Sequence, residues 1–200
     1  GDGSADLVRE ATDQQNRPHD HRVVITPTSV TIDGEQVSCQ TTGKQLLTEL
    51  YKRYVSDYPR FYKMDMLSRL GFIASELLIQ REQQERFAPT EHRAVVLFNH
   101  SSSIHADKAY LASICDPENY YPSPALFVYT LPNIVTGEIA IRNHYHGETS
   151  FYILPRRDER LMSQVQQTVF SDAMTDSVMT GWLDYENDED FTADLYVLSK

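Results

Sequence analysis

Two hundred residues suit one domain with enough chain to bury a core, and 40% apolar with 24% charged residues is an ordinary globular composition. The formal charge of −11 argues against nucleic acid or an anionic membrane as the main partner, because phosphates are held by basic surface. Two cysteines, Cys39 and Cys115, cannot build a disulfide framework and fit a reducing cytoplasm. No apolar run approaches the roughly 20 residues of a spanning helix, and the opening GDGSADLVRE lacks the pattern of a secretory signal.

Residues 1–22 are polar and read as a loose or edge-docked arm, leaving 23–200 as a single domain. In VVITPTSVTIDGEQV the β-branched residues predict strand and Asp33-Gly34 predicts a hairpin turn. Pro27 would place that first strand at an edge or a bulge. Leu46, Leu47, Leu50, Tyr51, Tyr54 and Val55 repeat at helical spacing over Gly43 to Asp57, with Pro59 beyond. A second helix is predicted from about Lys63 to Gln84, with Met66, Leu67, Leu70, Ile73, Ala74, Leu77 and Leu78 apolar.

RAVVLFN is a short apolar run that fits a buried, parallel strand. HSSSIHADKAYLASI then reads as a loop entering a helix, DPENYYPSP as a proline-rich loop and ALFVYTLP as extended chain. A helix is predicted from Asn133 to about Asn143, a strand over ETSFYIL and a helix from Arg157 to about Asp172. Two last strands, DSVMTGWLDY and ADLYVLS, flank the acidic turn ENDEDFT. Strands alternating with helices predict an α/β layered fold with a largely parallel sheet.

Four stretches together resemble β-ketoacyl-acyl-carrier-protein synthases: FYKMDMLSRLGFIASELL, LFNHSSSIHADKAY, SPALFVYTLPNIVTGEIAIRNHYHGET and SVMTGWLDY. Each alone is a weak signal, and their order makes the set more specific. The resemblance covers about residues 23–200. It implies the first half of a thiolase-like architecture, a mostly parallel mixed five-stranded sheet layered with helices. The second half of such enzymes has no counterpart in these residues.

The resemblance directs attention to the corner after ETSFYIL. Family members carry a nucleophilic cysteine there, where a helix N-terminus lowers a thiol pKa and offers N–H groups to an oxyanion. In this chain the position falls on Arg156 or Pro155, neither of which attacks a thioester. The two histidines and the lysine that complete the family's site belong to the missing half. The resemblance therefore implies a catalytically degenerate, non-catalytic subunit of fatty-acid or polyketide-type synthesis, acting by association. The alternative is a 3-oxoacyl-ACP synthase, an acyltransferase, whose missing groups come from a partner chain. Whether the chain is an enzyme stays open at this point. The expected partners are a second copy of the chain or a ketosynthase chain, with acyl carrier protein as a further one. By family likeness, pairing through ETSFYIL would put Phe151 and Ile153 near the dimer contact. Arg156 and Arg157 read either as an ordinary helix start or as a grip on an anion or a carrier. No cofactor or metal is expected.

Other polar groups have plainer roles. Cys115 lies beside Asp116, which works against a thiolate, and Cys39 lies on an early strand. Ser101, Ser102 and Ser103 near His100 and His105 lack the glycines of a nucleophile elbow and read as caps or loop groups. His144 and His146 could share a metal only with a third ligand such as His100, His105 or Asp107. The run Asp184 to Asp190 lacks calcium-loop spacing and reads as a solvated hairpin turn.

Overall fold

The computed structural model describes residues 20–82, 85–100, 127–129 and 134–200. Its strands are β1 (Arg22–Thr26), β2 (Ser29–Ile32), β3 (Glu35–Val37), β4 (Arg93–His100), β5 (Phe127–Tyr129), β6 (Thr149–Leu154), β7 (Ser177–Asn187) and β8 (Asp190–Ser199). The α-helices among the described residues are α1 (Lys44–Tyr54), α2 (Met66–Ile79), α3 (Ile134–Asn143) and α4 (Glu159–Val169). A short 3-10 turn, Pro59–Lys63, precedes α2.

The strands form one eight-stranded sheet in the order β3-β2-β1-β8-β7-β4-β6-β5. Only β4 pairs in parallel, with β6 on one side and β7 on the other. The pairs β1–β2, β2–β3, β1–β8, β7–β8 and β5–β6 are antiparallel. This corrects the expected five-stranded, mostly parallel, thiolase-type sheet. The reason lies in the connections. A turn at Pro27 and Thr28, another at Asp33 and Gly34, and a third at Asp188 and Glu189 each join neighbouring strands. Two-residue links of that kind permit antiparallel pairing alone, whereas a parallel pair needs a long crossover. The two parallel pairs, β4–β6 and β4–β7, are both joined through long connections.

Pro27 thus sits in a turn, and β1 is interior to the sheet rather than at its edge, paired by β2 and β8. The arm expected over 1–22 ends sooner than its composition implies. The Asp20 N–H donates to the Val197 carbonyl at 3.1 Å, and Arg22 already pairs with Tyr196. Residues 1–19 lie outside the described residues.

Alternation along each strand divides the core into two layers. Val95 and Leu97 of β4, Phe151 and Ile153 of β6 and Leu195 and Val197 of β8 face a layer made by α1, α2 and α3. Ala94, Val96 and Phe98, with Tyr152, Leu154, Val178, Trp182 and Tyr196, face the amphipathic stripe Met162, Val165 and Val169 of α4. Burial of a side chain such as Phe72 or Phe98 stabilises by about 1.5–3 kcal/mol.

α2 is buried on nearly every face, as its uninterrupted apolar content requires. Asp65 caps it by accepting from the Ser68 N–H at 2.9 Å, which sets its start three residues later than the periodicity predicts. Gly71 lets α2 approach α3 and β7, since a Cβ there would stand 2.5 Å from Val135 Cγ1 and 2.9 Å from Leu183 Cδ2. Glu76 is the fully buried charge on this helix. It accepts from Arg86 Nη2 at 2.6 Å and Arg142 Nε at 2.9 Å. Among the described residues no helix is long and apolar enough to cross a membrane.

Candidate functional site

β6 ends at Leu154, and the chain turns through Pro155, Arg156 and Arg157 into α4. Asp158 closes the turn. Its Oδ1 accepts from the Leu161 N–H at 3.1 Å, which satisfies one of the free donors of the first helical turn. Glu159 adds an acid at the positive end of the helix dipole. The strand, corner and helix expected here therefore form, with the helix beginning two residues later.

Arg157 is drawn inward across the sheet. Its Nη2 donates to Asp194 Oδ2 at 2.6 Å, its Nε donates to Glu159 Oε1 at 2.6 Å, and its guanidinium carbon lies 6.0 Å from the Trp182 ring centroid. Arg22, from β1, reaches the same carboxylate by a fork. Its Nε donates to Asp194 Oδ1 at 2.8 Å and its Nη2 to Oδ2 at 2.7 Å. The Asp194 side chain is only 4% exposed, whereas those of Arg22 and Arg157 are 49% and 34% exposed. Burial pushes the Asp194 carboxyl up, but the hydrogen bonds and charges of Arg22 and Arg157 outweigh it and hold the group below the usual carboxylate range. The pKa of Arg157 is raised: desolvation opposes the charged form, and bonding to Asp194 and the charge of Glu159 overcome it. Arg156 and Pro155 are exposed.

The corner thus holds cations and their counter-ions and no nucleophile. Guanidinium groups donate and attract anions. They do not attack carbonyl carbon. Arg22 and Asp194 were not legible as part of this site, since Arg22 closes a polar tract and Asp194 lies 172 residues further on. The one local signal was a carboxylate inside the otherwise apolar run ADLYVLS.

The remaining sequence candidates are scattered. Cys39 packs beside the α1–α3 layer, on the opposite face of the sheet from α4, and so does not replace the missing thiol at the corner. Burial and the nearby charge of Glu49 raise its pKa, despite an opposing effect from Arg53. Cys115, Ser101, Ser102, Ser103, His105 and Asp107 lie outside the described residues. His144 takes a left-handed φ of 56°, and its Nδ1 lies 2.5 Å from the Phe87 carbonyl oxygen. His144 and His146 precede β6, while His100 ends β4 opposite Leu154. The intervening strand separates them by about 17 Å, too far for one metal. Among the described residues no group of three or more histidines, cysteines or acids could hold a metal ion. His100 faces Glu186 at 3.9 Å where β4 and β7 end, and Asn99 donates to the Leu183 carbonyl at 2.6 Å. The acidic run from Asp184 is strand as far as Asn187, and only Asp188 and Glu189 form the turn.

β6 does not lie at an edge of the sheet. β4 pairs along one side and β5 along the other, opposite Phe151, Tyr152 and Ile153. Phe151 and Ile153 are each 1% exposed beneath the helical layer. Among the described residues, Phe151 and Ile153 are thus paired on both sides within the sheet. The outer strands of the described sheet are β3 and β5. No protein-family model, curated protein or solved structure matches this chain.

Proposed function

We propose that the chain is a non-catalytic protein of fatty-acid or polyketide-type synthesis, a ketosynthase-like subunit that acts by association with a second copy or with a ketosynthase chain. Its motifs support the setting, while its sheet differs from the half-domain they imply. One observation carries the non-catalytic reading: at the corner where a nucleophile would stand, Arg157 is tied to Asp194 and Glu159, with no thiol or hydroxyl among residues 154–158. A partner can contribute histidines to a shared site. It cannot supply a sulfur at a position that this chain fills with arginine. The reading places the protein in a reducing compartment, where Cys39 and Cys115 stay thiols.

Incubation of the pure protein with an acyl thioester, followed by intact mass, tests this reading. An unchanged mass is the expected result, and a stoichiometric acyl adduct would overturn it. Acylation of this chain only when a ketosynthase chain is present would favour shared catalysis instead. Sedimentation over a wide concentration range, alone and mixed with a ketosynthase chain, checks association. A monomer in both settings would sink it.

A further inference from the structure

We propose that a cavity at the other end of the sheet from the corner binds a small organic cation, an amine that also carries a carbonyl oxygen. This goes beyond the reading above and does not depend on it. The cavity measures about 380 Å³. That falls within the roughly 300–1,000 Å³ of small-molecule sites. It lies where β4 and β7 begin and β8 ends, beside the last turns of α2 and α3.

The inner lining offers donors. Arg93 is 8% exposed, and its Nη1 and Nη2 donate to the two carboxylate oxygens of Glu82. Nη1 also donates to the Tyr145 hydroxyl at 3.3 Å, and Nε donates to Ser177 Oγ at 3.0 Å. Burial opposes the Arg93 charge, but bonding to Glu82 outweighs it. Each hydroxyl that accepts from Arg93 keeps its own proton, and neither has a second hydrogen-bond partner among the described residues. Accepting from a cation makes such a hydroxyl a stronger donor in turn. Two O–H groups and the second N–H of Arg93 Nη2 suit a carbonyl oxygen, which has two lone pairs.

The rim offers acceptors. Asp20, Glu85 and Asp176 line the cavity, and none pairs with a lysine or arginine among the described residues. His92 Nδ1 lies 2.8 Å from the Met174 carbonyl oxygen, which only accepts, so the neutral ring keeps a lone pair on Nε2. Donors inside and acceptors outside select a molecule with a carbonyl at one end and an ammonium at the other. The rim carboxylates repel an anion.

The walls are set before a ligand arrives. The Thr90 N–H donates to the His144 carbonyl at 3.1 Å, and the His146 N–H to the Thr90 carbonyl at 2.7 Å, which holds Tyr145 in place. Phe87, on the wall, takes a left-handed φ of 72°. Strain of that kind persists only where its surroundings impose it, and it gathers at ligand sites. A site fixed in advance lowers the entropic cost of binding.

Amide NMR of the full chain tests the proposal with three matched probes: δ-aminovaleramide, pentylamine, which lacks the carbonyl, and valeramide, which lacks the charge. The expected result is a saturable shift of the Thr90, Tyr145 and Ser177 signals by δ-aminovaleramide. Pentylamine and valeramide should each bind about tenfold more weakly, the equivalent of one charge-assisted hydrogen bond. Tyr145→Phe should weaken δ-aminovaleramide about fivefold, the equivalent of one neutral hydrogen bond. Tyr185→Phe, which removes a hydroxyl near the far end of β7, should leave binding unchanged. Where Tyr145→Phe alters the spectrum throughout, Ser177→Ala takes its place with the same expectation. Shifts that do not saturate, or that fall elsewhere in the chain, overturn the proposal. So does valeramide binding as tightly as δ-aminovaleramide, or a Tyr145→Phe or Ser177→Ala chain that binds as the parent does.

Discussion

Gly181 lies so close to the backbone of Asp194 that a Cβ in its place would come within 2.0 Å of the Asp194 carbonyl oxygen. Its φ of 142° is also one that side-chain-bearing residues rarely adopt. The contact joins β7 to β8 at the point where Asp194 turns its carboxylate toward Arg22 and Arg157. Gly181→Ala should cost about 2–5 kcal/mol, from backbone strain and overpacking together. Urea unfolding would show a lowered midpoint, and a midpoint equal to the parent's would refute the close approach.

Asp194→Asn should destabilise by about 2–3 kcal/mol. That is less than the loss of a fully buried ion-pair partner, because both arginines retain some access to water. The pH dependence follows from the depressed carboxyl pKa. A group whose folded pKa lies below its unfolded value stabilises fully above the unfolded pKa. That contribution fades as pH falls through the folded pKa. Between neutrality and strong acid, the variant should therefore lose stability less steeply than the parent. Denaturation midpoints across that range would show it, and parallel curves would contradict it.

Glu76→Ala should be the more damaging acid substitution. It leaves Arg86 and Arg142 without their shared carboxylate, and Glu76 itself is fully buried. A loss of about 3–5 kcal/mol is expected. Thermal unfolding of the variant beside Asp194→Asn gives the order, and a smaller shift for Glu76→Ala would be inconsistent with its burial.

Cys39 should alkylate slowly at neutral pH. Its raised pKa leaves little thiolate, and the rate should climb as pH rises through that pKa. Peptide mass mapping after timed iodoacetamide treatment separates Cys39 from Cys115. A rate at Cys39 faster than that of an unstructured peptide with the same residues would contradict the burial.

The helices were legible where a stripe of apolar residues had a period and an end. Leu46, Leu47, Leu50 and Tyr51 mark α1, and Met162, Val165 and Val169 mark α4. The run in β4 announced its own burial. Partner choice in the sheet was not legible, because it depends on groups far apart in sequence. Pro27 suggests an edge strand or a bulge, yet it forms the turn that folds β2 back on β1. The same limit applies to the site. The corner, with Arg156 and Arg157, was visible as a strand meeting a helix without a nucleophile. The carboxylate that holds Arg157 and recruits Arg22 belongs to the last strand, and no local pattern links the two.

The pairing of β1 with β8 sets a constraint on timing. During synthesis the first three strands emerge as a small antiparallel ribbon, with only β2 to hold β1 along one side. So short a ribbon, without a helix packed on its apolar face, is marginal in water. The other side of β1 stays open until residues 190–199 have left the ribosome, so the final sheet closes late and through contacts of long sequence separation. Until then the unpaired side of β1 is open to capture by chaperones or by neighbouring nascent chains.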